Sequence, residues 1–198
     1  MNNNNPLEKG LLNTEIIRSR RSIFPHSYTD KKIPKALIEE FLENANHAPT
    51  HRLTEPWRFK VITGEKLGAL GDLLASLYKE KVSEEKFSEM KYKKTAQKPR
   101  QSSHVIAICM ERDAEERIPE WEEIAATSMA VQNIWLSASA YGIGAYWSSP
   151  SIVSSLACHH FLNLGKGQRC LGFLFMGYHK APEQASTRTP IQEKTEWL

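Results

Sequence analysis

EWEEIAATSMAVQNIWLSASAYGIGA, residues 120–145, is the least polar long segment of the chain. Pro119 stands where a helix can begin, and Gly142 and Gly144 stop it. Its Ala, Ser, Met, Val, Ile, Trp and Leu side chains are spread around the whole circumference rather than along one stripe, which predicts the central, buried helix of the molecule. Ala145 to Trp147 then suits a strand before Pro150, residues 151–160 a further helix, and CLGFLFMGY, residues 170–178, a buried strand whose glycines let another backbone approach. Upstream, VIAICM, residues 105–110, is a short apolar run bounded by polar residues and suits a strand covered on both faces.

The N-terminal half supplies the rest. From residue 57 to 62 the chain alternates, Trp57, Phe59 and Val61 one way and Arg58 and Lys60 the other, until Gly64 ends a half-buried strand. Leu37, Ile38, Phe41, Leu42 and Ala45 form one apolar stripe on a helix opened by Pro34 and stopped before Pro49. Thr14 is a candidate cap for a short helix carrying Ile16 and Ile17 and ending at Arg21. Leu67, Leu70, Leu73, Leu74 and Leu77 recur at helical spacing, whereas residues 79–100 hold eight basic and four acidic side chains with few apolar ones, read as a solvated helix end and a loop. Helices outnumber strands without regular alternation, so the fold class is α+β rather than a doubly wound sheet.

Composition narrows the function. A chain of 198 residues fits one domain, and 40% hydrophobic with 25% charged residues is a globular composition. A net charge of +3 is too nearly balanced to argue for nucleic acid or an anionic membrane, and the lysine-rich stretch lacks the clustered aromatics of a single-strand binder. Cys109, Cys158 and Cys170 lie far apart with no CxxC pair, which suggests neither a disulfide framework nor zinc and fits a reducing cytoplasm. No signal-like or spanning apolar run occurs, and the asparagines before Pro6 are expected to be disordered, with residues 1–13 a tail, 14–180 the domain and 181–198 an extended arm.

Three segments could carry chemistry. Arg18, Arg20, Arg21 and Ser22 sit together where the first helix stops, and guanidinium forks beside a hydroxyl suit a phosphate monoester; a basic helix end favoured by the macrodipole is the plain alternative. HAPTHRLTEPWRF, residues 47–59, presents His47, His51 and Arg52 on a loop between Pro49 and Pro56, where His51 could bind a ligand or simply cap a turn. In GIGAYWSS, residues 142–149, the glycines admit a flat ring beside Trp147, Ser148 and Ser149, or merely end a helix and pack a tryptophan. Cys158, His159 and His160 are neighbours pointing about 100° apart, poor geometry for a metal. GxSxG, HExxH, P-loop and GxGxxG motifs are all missing from the sequence.

In order, SRRS, HAPTHRLTEPWRF, AVQNIWLSASAYGIGAYWSS and LGFLFMGY resemble the FMN-dependent nitroreductase family over residues 14–178, with the histidine after APT and the acidic PEWEE most like its compact, YdjA-type branch. The resemblance implies a three-layer fold around a mainly antiparallel sheet, in an intertwined homodimer with FMN at two interface sites. It implies that Arg20, Arg21 and Ser22 contact the cofactor's phosphate and ribityl chain, that His47 and His51 reach the cofactor of the other subunit, and that Trp147, Ser148 and Ser149 run beside the ring. Two positions depart from the pattern: Glu55, where many relatives carry Gln, and His47, often an arginine. A carboxylate at Glu55 disfavours a reduced, anionic flavin or an acidic acceptor. The implied activity is ping-pong hydride transfer through flavin N5 from NADH or NADPH to nitroaromatic, quinone or similar small acceptors, with no side-chain nucleophile. A flavin-binding sensor or carrier, or a dehalogenase or alkene reductase of the same family, are the alternative readings.

Overall fold

The computed structural model describes residues 5–181 and 187–198. Strands β1 (Trp57–Ile62), β2 (His104–Glu111), β3 (Ile143–Ser148) and β4 (Gln168–Tyr178) form one antiparallel sheet in the order β1-β2-β4-β3. The β2–β4 register shifts between Ile108 and Cys109, where β4 carries Leu171 as an extra residue. Alternate residues face opposite layers. Ile106, Ile108, Leu174 and Met176 pack with helices α2 (Lys35–Asn46) and α5 (Glu120–Ala140) on one side. Val105, Ala107, Cys109, Phe173 and Phe175 pack with α3 (Glu65–Lys81) and α6 (Leu156–Phe161) on the other. The result is the expected α+β arrangement in three layers.

Several sequence expectations are corrected. The first helix, α1, spans Pro6–Ser19 rather than starting at Thr14, because Asn5 caps it by accepting from the Leu7 N–H and Pro6 occupies the first turn, where a missing N–H costs nothing. The expected tail of residues 1–13 is therefore helical from residue 6; Asn2 to Asn4 lie outside the described residues. No α1 side chain is buried, and Leu7, Leu11 and Leu12 face outward.

Most of residues 79–100 is not a loop. Helix α4 (Glu89–Arg100) is capped by Ser88, whose Oγ accepts from the Lys91 N–H, and lies against α3, where Gly71 leaves room for the Ala96 carbonyl. The Arg100 guanidinium reaches Asp72 at 2.6 Å, and Tyr78, Phe87 and Tyr92 form an aromatic ladder with 6.0 and 6.1 Å between centroids. The expected helix at residues 151–160 is split: a 3-10 turn at Ser151–Ser154 ends at Ser155, whose side chain starts α6. Helix α5 buries only one face, with Ala126, Ala130, Val131, Ile134 and Ala138, while Trp121 and Met129 face outward. Of the expected C-terminal arm, Pro182 lies outside the described residues, and Ile191–Lys194 make a 3-10 turn.

Candidate functional site

The chain leaving α1 runs directly onto the exposed edge of the sheet. Ser22 forms a parallel bridge with Ala145 of β3, and the Ile23 N–H donates to the Ala145 carbonyl at 3.0 Å. This places Arg20, Arg21 and Ser22 beside the strand that carries Trp147. Gly144 is required there, since a Cβ would stand 2.8 Å from Ile23 Cβ and 2.9 Å from the His179 ring. A cavity of about 480 Å³ opens at this edge, walled by Arg21, Ile23, Trp135, Gly144 and His179. A second, of about 450 Å³, is walled by Ile17, Arg18, Arg20, Arg21 and Arg188.

The arginines are not equivalent. Arg21 Nη1 donates to the carbonyls of Arg18 (2.6 Å) and Arg20 (2.7 Å), so this part of its fork closes the C-terminal end of α1, as the plain reading expects. Arg20 instead lies over the Trp135 ring at 4.6 Å, and its Nη1 is buried with no hydrogen-bond partner among the described residues. Burial, then the guanidiniums of Arg188 and Arg21, lower its pKa. A buried donor beside like charges is stabilised by an anion, and a bidentate phosphate matches the fork. These residues fit the phosphate of FMN. Trp135 and Arg188 had no local sequence signal: the tryptophan was indistinguishable from core, and Arg188 stands alone in the expected arm.

Trp147 and Ser148 point to opposite faces of the sheet. Trp147 packs on the α5 side with its Nε1 buried and without a partner among the described residues, over Gly172, where a Cβ would meet that nitrogen at 2.5 Å. Ser148 faces the α3 and α4 side, and Ser149 is exposed.

His47 and His51 lie elsewhere. His47 caps the end of α2, exposed, with Nε2 at 3.3 Å from Glu43. His51 stands in a 3-10 turn (His51–Leu53) with Nδ1 at 2.5 Å from Glu122, in the first turn of α5. Trp135 holds Arg20 thirteen residues further along that helix, a separation of about 20 Å at 1.5 Å per residue. Within one chain the expected cofactor residues thus form two groups. The His51 loop is strained, since Arg52, Leu53 and Glu55 all have positive φ, and strain of this kind clusters at functional sites.

The thiols offer no nucleophile. Cys109, Cys158 and Cys170 are buried and free; the Cys109 and Cys170 side-chain contact, with burial, pushes Cys170 up to about 12, and contact with Cys170 pushes Cys158 higher. Among the described residues no group of three or more His, Cys, Asp or Glu side chains is placed to hold a metal ion, and no helix is long and apolar enough to cross a membrane.

A sheet of this order between two helical layers, with a basic pocket at its edge, defines a class that comparison makes explicit: residues 17–178 match the model of the nitroreductase family, and the chain belongs to that family. It is 33% identical over 184 residues, 91% of each chain, to YfhC of Bacillus subtilis (strain 168), assigned by name to the NAD(P)H nitroreductases. A nitroreductase-like family protein from Bacillus cereus superimposes with a TM-score of 0.77 at 30% identity, covering 94% of this chain and 95% of its own. A Desulfovibrio desulfuricans chain solved in complex with FMN gives 0.72 at 25% identity, over 94% and 96%.

Proposed function

We propose that this protein is an FMN-dependent NAD(P)H oxidoreductase that reduces small electron-poor acceptors such as nitroaromatics or quinones, working as a homodimer. The observation that carries the reading is the buried, unpartnered Nη1 of Arg20 set against Trp135 among Arg18, Arg21 and Arg188. Family membership and the FMN named for the Desulfovibrio relative support it. When bound, FMN supplies the two-electron chemistry between the nicotinamide and the acceptor.

The chain's own part is binding and orientation. Arg20, with Arg188, neutralises the phosphate, while Arg21 keeps the helix end in place and Ser22, fixed to Ala145, offers a hydroxyl beside it. Trp147, Ser148 and Ser149 continue along β3 as the wall beside the ring. His51 is too far along α5 to reach this group in its own chain, so a second copy has to deliver it, and the exposed His47 at the end of α2 is assigned to the same contact. The outward Trp121 and Met129 of α5 supply apolar surface for that contact, and two such helices packed antiparallel set the His51 end of one beside the Arg20 end of the other.

The protein is expected to purify yellow, to sediment as a dimer and to oxidise NADH or NADPH when an acceptor is added. Arg20→Ala is expected to weaken FMN binding by about 1.5–3 kcal/mol, the worth of a charge-assisted hydrogen bond. A stable monomer that retains stoichiometric flavin, or unchanged flavin titration of the variant apoprotein, contradicts the assignment.

A further inference from the structure

Where β1 ends and β2 begins, a cavity of about 510 Å³ lies between the first turn of α3 and the last residue of α4. Its walls carry Lys32, Thr63, Arg100, Ser103 and His104, and Gly68 leaves one side open. No side chain caps α3 at Gly64, so the first N–H groups of that helix end at the same opening. None of these residues belongs to the arginine pocket or to the wall beside the ring. His104 pairs with Met176, Met176 with Ala145 and Ala145 with Ser22, so three strand spacings, about 14 Å, separate the histidine from the cofactor residues.

Neighbours hold the histidine in one state. The Ile33 N–H donates to Ser103 Oγ at 2.8 Å, and that oxygen lies 3.0 Å from His104 Nδ1. Ser103 is buried, and Nδ1 is the acceptor that its proton has among the described residues, so the hydroxyl donates to Nδ1 and the ring hydrogen sits on Nε2. Burial, then the Lys32 ammonium, lower the His104 pKa and keep the ring neutral. His104 is 9% exposed, yet its Nε2 has no hydrogen-bond partner among the described residues. A buried donor of this kind calls for an acceptor.

The other walls offer donors too. Lys32 makes no ion pair among the described residues, and Arg100 is held at the wall by Asp72 and the Ala96 carbonyl. Glu65, the one carboxylate among the described lining residues, is exposed at the rim. Imidazole N–H, ammonium, guanidinium and helix amides around one cavity suit the oxygens of a tetrahedral anion.

We propose that this cavity is a phosphate site, separate from the arginine pocket, with Lys32 and the α3 amides facing the charge and His104 Nε2 donating to an oxygen. It takes free phosphate or the phosphate end of a larger molecule. The inference does not depend on flavin binding, which is read independently by its absorbance.

The experiment is calorimetric titration of the full chain with inorganic phosphate, in phosphate-free buffer with excess FMN added to fill the arginine pocket. Lys32→Met is expected to lower phosphate affinity about tenfold, and His104→Phe, which keeps a ring and removes the donor, by about as much. Gly68→Glu, which sets a carboxylate on the open side, is expected to abolish binding, and Glu65→Gln to strengthen it. Arg20→Ala disables the arginine pocket whether or not FMN fills it, and is expected to leave phosphate binding intact. Adenosine 5′-monophosphate distinguishes the sources: tighter binding than inorganic phosphate assigns the site to a monoester, equal or weaker binding to the free ion. Phosphate binding unchanged in both Lys32→Met and Gly68→Glu, phosphate binding lost in Arg20→Ala, or no binding at millimolar phosphate would each overturn the proposal.

Discussion

The two ends of α5 face differently finished surroundings. At its start the charges are matched: buried Glu123 pairs with Arg112 and accepts from the Asp113 N–H at 2.9 Å, His51 meets Glu122, and Arg117 holds Asp113 down at about 2 through its hydrogen bonds. Toward its end, Arg20 and Trp147 keep buried donors with no partner among the described residues. The first end has what it needs to fold. The second has donors whose partner is not in the described chain, the arrangement of a receptor.

Three substitutions and one control test that contrast, beginning with the largest effect. Glu123→Ala removes a fully buried carboxylate and leaves Arg112 without its partner, so urea unfolding is expected to lose about 3–5 kcal/mol. A loss below 1 kcal/mol would mean that this end is no more finished than the other. Gly172→Ala puts a methyl against Trp147 Nε1 and the Ser148 carbonyl at a φ of +150°, and is expected to cost about 1–3 kcal/mol and to weaken FMN binding by moving the indole. Gly68→Ala, in α3 with nothing within 4 Å of the new methyl, serves as its control and is expected to stabilise by about 0.5–1 kcal/mol. His51→Ala breaks an ion pair whose histidine is 57% exposed, worth about 0.2–1 kcal/mol of stability, yet it is expected to lower the FMN retained on gel filtration. Unchanged retention would assign His51 to the matched end alone.

The sequence announced elements that carry their reason locally. The sheet strands, α2 and α5 follow from runs and stripes of apolar residues, although Val61, expected inside with Trp57 and Phe59, is exposed at the edge strand, and α5, expected buried all round, buries one face. Helix α4 was illegible because its stability comes from α3: Gly71 admits the Ala96 carbonyl, and Arg100 reaches Asp72 across 28 positions. Its own residues, mostly lysines, look like solvated chain. The site was legible as residue types at Arg20 to Ser22 and at Trp147, but not as an arrangement. That His51 and Arg20 sit toward opposite ends of α5 depends on which element each packs against, and Arg188 shares the arginine pocket from far along the chain.

Helix α1 has 14 residues and buries none of them fully, so beyond a light contact with α5 its order comes from its own backbone and one asparagine cap, when isolated helices shorter than about 12–15 residues are marginal in water. Helix–coil opening there costs little. Because Arg18, Arg20 and Arg21 hang on the end of that helix, the arginine pocket inherits its cooperativity: each event that covers Leu7, Leu11 and Leu12 also lowers the entropy lost on closing the pocket around an anion. Amide exchange along residues 6–19 is therefore a direct gauge of how ready the pocket is.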